Sequence, residues 1–152
     1  MNILISDIPR EGILRLVMDD QKSGNALSED MMSRLMETIK KASIDESIKI
    51  IILAAKGGIF SSGHNLKEIT DAREQIEYGE PYFKQLFDQC SSLMQLIVNC
   101  PKPVIAQISG VATAAGCQLV ATCDLAYASS SAKFATPGVN LGLFCSTPMV
   151  AL

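Results

Sequence analysis

The chain has 152 residues, of which 48% are hydrophobic and 19% are charged, so it is long enough for one domain with a sizeable core. Its 13 basic and 16 acidic residues give a net charge of −3 without a run of like sign, which excludes a basic face for nucleic acid. No segment approaches the ~20 apolar residues of a membrane helix, and the start MNILISDIPREG lacks the order of an export signal, so we expect no membrane span and a cytoplasmic location.

The first half of the chain alternates between strand and helix patterns. Residues 12–18 have the length and branching of a strand. Residues 28–43 carry apolar side chains at helical spacing, with Ser28 as the expected N-cap and two acidic residues in the first turn. The continuous apolar run 48–55 predicts a strand that is buried on both faces of a parallel sheet.

The second half continues the alternation. A polar stretch at residues 70–80, predicted to be mobile, is followed by a helix that Pro81 opens and that has one wide apolar face. A strand at 104–108, a short helix at 114–121 and a strand at 125–129 complete the pattern. The order β, α, β, α, β, α, β without a linker or repeat predicts an α/β domain with a parallel sheet and right-handed crossovers.

The five cysteines are odd in number and show no C-x-x-C pair. Most have apolar neighbours, so we predict reduced thiols in the core rather than a disulfide or metal framework. His64 is the single histidine, which excludes a His-rich metal site, and no metal is expected. The cysteines are Cys90, Cys100, Cys117, Cys123 and Cys145.

Two loops qualify as ligand sites, because parallel sheets bind ligands where strands lead into helix N-termini. In residues 57–69, Gly63 permits unusual backbone angles and a short helix begins near Asn65. The other loop is ISGVATAAGCQLVATCD, residues 108–124. Two free N–H groups that converge on one oxygen would form an oxyanion hole. Either loop alone is equally a common structural feature, and a general anion site stays open. Neither contains a Rossmann or P-loop motif.

Taken together, the two loops carry a resemblance to a known family. FSSGHNLKEI, followed by CPKPVIAQISGVATAAGCQLVATCDLAYASSSAKFATPGVNLGLF, resembles the crotonase superfamily, the enoyl-CoA hydratase and isomerase group, over nearly the whole chain. The resemblance implies a crotonase-like (ClpP/crotonase) α/β fold of repeated ββα units. It implies one core domain over residues 1–152 that is truncated at its C-terminus, because the C-terminal helical region of relatives is absent. It also implies coenzyme A thioesters as ligands, without a permanently bound cofactor.

The resemblance also assigns binding roles. It implies that the backbone N–H groups of His64 and Ala115 hold the thioester oxygen. Residues 64–67 would lie along the pantetheine arm and residues 22–28 near the adenine end, with Lys67 as a point charge for phosphate. For Lys22 and Lys67, a solvated surface amine is an equal alternative. The implied substrate-binding residues are Lys22, Ala26, Ser62, Gly63, His64, Asn65, Leu66, Lys67 and Ala115.

The acid and base that hydration requires are missing. Hydratases of this group use two glutamates, and their places are taken here by Gln118 and Gly138. An amide has no proton equilibrium near neutral pH and glycine has no side chain, so we expect weak or absent hydration. The ordinary pKa of histidine, about 6.5, suits His64 to proton transfer. The alternative is that the His64 ring points away and only its N–H acts. Asp124 is expected to anchor the turn from helix to strand.

The leading hypothesis is an acyl-CoA-binding member of the family that polarises a thioester carbonyl in fatty acid metabolism. A trimer or hexamer is the family's expectation, provided that the missing C-terminal region is not required. One alternative is a non-catalytic acyl-CoA sensor or an interaction partner of a full-length homologue. Another is proton abstraction or thioester hydrolysis led by His64.

Overall fold

The computed structural model describes residues 2–74, 76–142 and 144–152. The helices in these ranges are α1 (Glu29–Ile44), α2 (Leu66–Arg73), α3 (Glu80–Val98), α4 (Ala115–Thr122) and α5 (Ser146–Ala151). The strands are β1 (Leu4–Arg10), β2 (Ile13–Met18), β3 (Ile50–Ala55), β4 (Ile59–Ser61), β5 (Val104–Ile108), β6 (Val111–Thr113), β7 (Leu125–Ala128) and β8 (Lys133–Ala135).

The strands form two sheets. The larger sheet has the order β1-β2-β3-β5-β7, in which β1 is antiparallel to β2 and every other neighbouring pair is parallel. The smaller sheet has the order β4-β6-β8 and is parallel throughout. The prediction of a parallel α/β sheet is therefore confirmed for β2, β3, β5 and β7.

Three strands of the larger sheet are each followed by a short strand of the smaller one and then by a helix, in the units β3-β4-α2, β5-β6-α4 and β7-β8-α5. This is the repeated ββα arrangement that the resemblance implied. The alternation of patterns along the chain missed β1, β4, β6 and β8. The three strands of the smaller sheet have three residues each, too few to show a period. Strand β1 lies at the sheet edge and contains Pro9, which weakens its strand signal.

Helices α1 and α3 pack together over one hydrophobic core. Met31, Leu35 and Ile39 of α1 are at most 1% exposed, and α3 buries a parallel row that includes Leu93 and Ile97. Apolar spacing had predicted these faces, because residues three and four apart share one side of a helix. Burial of this stripe holds the helices on the sheet and so fixes the strand ends beneath them.

Several local predictions can be checked at the ends of elements. The Ser28 side chain accepts a hydrogen bond from the Met31 amide at 3.1 Å and caps α1 as expected. The Asp124 carboxylate accepts from the Val104 amide at 2.8 Å, which ties the end of α4 to β5. Within residues 70–80, predicted to be a polar and mobile stretch, α2 continues to Arg73 and a 3-10 turn spans Ile76–Gly79, while Gln75 lies outside the described residues. The mobility of this stretch stays a prediction.

All five cysteines are free, as predicted. Within the described residues, no helix combines the length and the apolar character that crossing a membrane would need.

Candidate active site

The first loop of the site follows β4 and is held against a neighbouring segment of backbone. The Ser62 amide donates to the carbonyl of Gly24 at 3.0 Å, and the Leu27 amide donates to the carbonyl of Gly63 at 2.8 Å. Leu27 and His64 also form an isolated parallel β-bridge. These bonds bring the segment 22–28 alongside the loop 61–65, the two regions that the resemblance assigned to one ligand.

Gly63 provides the bend in this loop. Its φ is +90°, a conformation that residues with a Cβ atom rarely adopt. Immediately after it, the Asn65 side chain accepts a hydrogen bond from the Lys67 amide at 3.0 Å and caps α2, so a short helix begins where the sequence predicted one. The His64 amide thus lies between a glycine turn and a helix start.

The second loop turns sharply from β6 into α4. Ala114 has φ 50° and ψ −124°, and α4 begins with the next residue, Ala115. The Ala114 amide donates to the Ala135 carbonyl at 2.9 Å, while the Ala114 carbonyl accepts from the amides of Cys117 and Gln118 at 2.9 and 3.2 Å. These hydrogen bonds form the first turn of α4 and hold its start beside β8 of the smaller sheet.

The two loops meet at backbone distance. A Cβ atom added to Gly63 would lie 3.2 Å from the Ala115 nitrogen, and one added to Gly116 would lie 2.4 Å from the Ser61 carbonyl oxygen. Among the described residues, the amides of His64 and Ala115 donate to no acceptor of the chain. Two N–H donors without an acceptor in the described chain therefore stand on adjoining loops, and donors of this kind are what an oxyanion hole needs.

A cavity of about 500 Å³ adjoins these loops and lies between α3, α4 and α5. His64 lies at its wall, where its ring packs edge-on against Phe87 with 5.6 Å between centroids and an interplanar angle of 83°. The His64 side chain therefore contributes to the cavity wall, and whether its ring points toward or away from a bound thioester stays a prediction. The residues that line the cavity are His64, Phe87, Cys90, Ser91, Met94, Gln95, Val98, Gln118, Ala121, Thr122, Thr147, Val150 and Ala151.

Burial sets the protonation of the titratable groups in this wall. Loss of solvent lowers the pKa of His64, and the Leu27 carbonyl opposes that shift only in part. That carbonyl does not reach hydrogen-bonding geometry, and the buried Nδ1 atom has no partner in the described part of the chain. Burial raises the pKa of Cys90 to about 11. At neutral pH the imidazole and the thiol are therefore both uncharged.

The two places of the family glutamates are separated in the structure. Gln118 lies in the first turns of α4 and lines the cavity, and its buried Oε1 atom has no hydrogen-bond partner among the described residues. Gly138 lies in the 3-10 turn Pro137–Leu141, and the described cavity wall does not include it. The cavity thus receives one amide and no carboxylate from these positions.

The residues assigned to the coenzyme differ widely in exposure. Ala26 is 2% exposed, so it can offer only backbone atoms, whereas Leu66 is 74% exposed on α2. Lys22 lies in the 3-10 turn Gln21–Ser23, and Lys67 lies in the first turn of α2. Both lysines are exposed, and neither forms a salt bridge within the described residues.

Sequence reasoning missed the apolar wall of the cavity. Phe87, Cys90 and Met94 had been assigned to the core because they lie on the apolar face of α3. Phe87 is 50% exposed, so that face is wider than the core beneath it. The width of the apolar stripe on α3 was the available signal. The residues of α5 that face this stripe across the cavity are distant in sequence, so the cavity itself could not be predicted.

Comparison with known proteins identifies the family. The profile described as enoyl-CoA hydratase/isomerase matches residues 9–151. The chain belongs to the enoyl-CoA hydratase/isomerase family. Enoyl-CoA hydratase domain-containing protein 3, mitochondrial, from Mus musculus is 50% identical over 149 residues, which cover 98% of this chain and 48% of that protein. A probable enoyl-CoA hydratase from Bacillus subtilis is 32% identical over 119 residues, which cover 78% of this chain and 44% of that protein.

Solved structures of family members confirm the crotonase fold. The human enoyl-CoA hydratase domain-containing protein 3 matches with a TM-score of 0.89 and 46% identity, and an enoyl-CoA hydratase from Mycobacterium smegmatis with 0.89 and 44%. Each match covers 99% of this chain and 57% of the other. The chain spans about half the length of the curated relatives it matches.

The prediction of a cytoplasmic location is contradicted by these relatives. The proteins from Xenopus laevis, Mus musculus and Homo sapiens, at 51%, 50% and 50% identity, are all named mitochondrial. The prediction rested on the absence of an export signal, and that observation does not distinguish among the compartments of a cell.

The backbone is strained at Ala114, where the chain enters α4. Its positive φ costs a residue with a Cβ atom about 1–3 kcal/mol, and this strain exceeds the entropic cost of placing glycine at the same position. We expect Ala114→Gly to raise the free energy of unfolding by about 1 kcal/mol in urea denaturation. Ala121→Gly, in the last turn of α4, should lower it by up to about 1 kcal/mol. A destabilised Ala114→Gly protein would show that the turn is not strained.

Proposed function

We propose that this chain binds acyl-CoA thioesters and polarises the thioester carbonyl with the backbone N–H groups of His64 and Ala115. The observation that carries the proposal is the meeting of two loops with both of these amides free of acceptors in the described chain. Donors that are already oriented need no reorganisation when a carbonyl oxygen arrives, so they stabilise developing negative charge efficiently. Alanine at position 115 supplies the same backbone donor that glycine would.

The cavity beside the loops supports an acyl chain as the part of the ligand on the opposite side of the thioester from coenzyme A. Its wall includes Phe87, Met94 and Val98 from α3 and Val150 from α5, so an apolar chain would be shielded from water there. The segment 22–28 is hydrogen-bonded along the loop 61–65, and the exposed amines of Lys22 and Lys67 are available for phosphate. The thioester would then lie between an apolar wall and a polar, cationic one.

Hydration of an enoyl-CoA is not the reaction that this site favours. Adding water across a double bond requires one group to take a proton from water and another to deliver a proton to the α-carbon. Gln118 cannot titrate, and Gly138 brings no side chain. We therefore expect that crotonyl-CoA binds while its double bond persists, as followed by the absorbance of the enoyl thioester. Rapid loss of that absorbance would contradict this assignment.

Binding itself can be measured by thermal or chemical unfolding with acetyl-CoA. A ligand that binds only the folded state at 100 times its Kd stabilises that state by about 2.7 kcal/mol. Free coenzyme A is the matched control. It lacks the thioester carbonyl, so it should stabilise the protein less than acetyl-CoA does. Absence of both heat and stabilisation at high acetyl-CoA concentration would instead favour a role confined to interaction with other proteins.

Two further properties belong to this proposal. The names of the animal relatives support a mitochondrial location, where acyl-CoA thioesters of fatty acid metabolism would be the ligands. Assembly into a trimer or hexamer stays a prediction. Exposed apolar side chains on β7 and β8, Tyr127 at 68% and Phe134 at 51% exposure, leave a surface that a further contact could cover.

A further inference from the structure

His64 is the one group in the described cavity wall that can exchange a proton near neutral pH. The wall contains two titratable side chains, His64 and Cys90, and no carboxylate among the described residues. The Cys90 thiol has its pKa raised to about 11 by burial, so it stays protonated. The pKa of His64 is shifted below its ordinary value, and its neutral form has a lone pair available.

The position of His64 places this lone pair close to the carbonyl site. The imidazole is attached to the same residue whose backbone N–H would bind the thioester oxygen, so the two lie within one side-chain length of each other. The ring is oriented by the edge-on contact with Phe87. Its Nδ1 atom is buried without a partner in the described chain, whereas Nε2 is not among the buried polar atoms without a partner. In the tautomer that carries its proton on Nδ1, Nε2 is the acceptor.

Gln118 completes a polar corner in an otherwise apolar wall. Its amide is the second polar group with an unpartnered buried atom in this cavity, and it extends from α4, the helix that begins at Ala115. An amide can hold a water molecule without taking its proton. His64 and Gln118 together can therefore orient one water toward a carbonyl that the two amides hold.

On the condition that acyl-CoA thioesters bind as proposed above, we propose that this chain hydrolyses them, with His64 as the general base and Gln118 as a positioning residue. The water oxygen attacks the carbonyl carbon while His64 Nε2 takes one water proton. The resulting oxyanion is stabilised by the amides of His64 and Ala115. The carbon–sulfur bond then breaks, the imidazolium returns the proton to the leaving thiolate, and a carboxylic acid and free coenzyme A are formed.

One base is enough for this reaction, which explains why hydrolysis suits the site better than hydration. The proton that His64 removes from water is the one that the thiolate needs, so no second acid has to reach the α-carbon. The lack of a carboxylate in the described wall removes the second acid that hydration would require. Hydrolysis does not use a second acid, so the missing carboxylate does not interrupt it.

The test measures release of coenzyme A thiol from butyryl-CoA by the full chain and its His64→Phe variant. Phenylalanine keeps the backbone amide and a ring that can pack against Phe87, but it cannot take a proton. We expect kcat to fall about 100-fold, in the range typical for loss of a general base. For the unaltered chain, kcat/KM should rise with pH through a pKa below 6.5, and the variant should lose this dependence.

Binding is measured separately with S-(2-oxopentyl)-CoA, a thioether that keeps a carbonyl group but has no thioester bond to cleave. His64→Phe should bind this analogue within threefold of the unaltered chain. If the unaltered chain binds the analogue but releases no thiol from butyryl-CoA, the hydrolysis inference is overturned while the proposed function stands. If the analogue does not bind at all, the proposed function fails and hydrolysis fails with it. Exchange of α-protons in D₂O without thiol release would overturn hydrolysis in favour of proton abstraction.

Gln118 is tested by replacement with leucine, which keeps the approximate shape and removes the amide. We expect kcat to fall about tenfold, since one oriented hydrogen bond is worth about 1 kcal/mol or somewhat more, while the pH dependence set by His64 is retained. Gln85→Leu is the matched control, because Gln85 is exposed on α3 and lies outside the described cavity wall. Equal rates for Gln118→Leu and the unaltered chain would remove Gln118 from the mechanism.

Discussion

Gly63→Ala is expected to lower the affinity for acetyl-CoA about 100-fold while the protein remains folded. The added methyl group would lie 3.0 Å from the Ala114 Cβ and 3.2 Å from the Ala115 nitrogen, at a φ of +90°. Both contacts force the two loops apart and rotate the amides of His64 and Ala115 away from a shared oxygen. Each of these hydrogen bonds is worth about a factor of ten in binding, so the loss of both gives the expected change. Isothermal titration calorimetry measures it directly.

The matched control for this variant is Gly142→Ala. Gly142 has a similar φ of +74°, so alanine there carries the same type of backbone strain, about 1–2 kcal/mol. No described atom lies within 4 Å of the added Cβ, and the residue is distant in sequence from both loops. Its affinity for acetyl-CoA should therefore be unchanged. If the two variants lose affinity equally, the loss reports general strain and the oxyanion assignment loses its main support.

Gly116→Ala is expected to destabilise the fold by about 3 kcal/mol, at the upper end of the cost of overpacking a core. Gly116 is in the first turn of α4, and its backbone packs directly against β4. A Cβ atom there would lie 2.4 Å from the Ser61 carbonyl oxygen and 2.9 Å from the Ser61 Cβ. The Ser61 carbonyl oxygen belongs to the backbone and the Ser61 Cβ is attached directly to it, so no side-chain rotation relieves the clash. Helix α4 must therefore move away from the smaller sheet. Urea denaturation measures the loss.

Gly58→Ala separates this steric effect from the general consequence of replacing a glycine. A Cβ added to Gly58 meets no described atom within 4 Å, and its φ is not in the left-handed region. Its free energy of unfolding should stay within about 0.5 kcal/mol of the unaltered chain, as is usual for surface changes. A Gly116→Ala protein as stable as Gly58→Ala would mean that α4 and β4 are less closely packed than the structure shows.

The elements with a clear period were predictable, because burial on one side imposes a spacing that can be read without knowing the partner. The stripe of Met31, Leu35 and Ile39 predicted α1, and the unbroken apolar run predicted β3. The short strands of the smaller sheet were not predictable in this way. Lys133–Ala135 forms β8 only because β6 lies beside it, and its three side chains are all exposed.

The site was predictable in part. The glycine turn at Gly63 and the helix start at Ala115 marked two candidate loops by their local chemistry. The resemblance supplied the idea that they share a ligand. Neither showed that the His64 ring contacts Phe87, since residue 64 and α3 are brought together by the fold alone.

The order and type of residues by themselves determined the α/β class, the main strands and helices, and two loops that lead into helix starts, while the resemblance identified the places of the missing glutamates. These features depend on backbone preferences and on side-chain chemistry, which act over a few neighbouring residues. Only the tertiary structure decided that Gly63 adjoins Ala115, that Gln118 faces a cavity while Gly138 does not, and that His64 is partly withdrawn from water. Those properties depend on contacts between segments far apart in the chain, and packing selects such contacts only when the whole core forms.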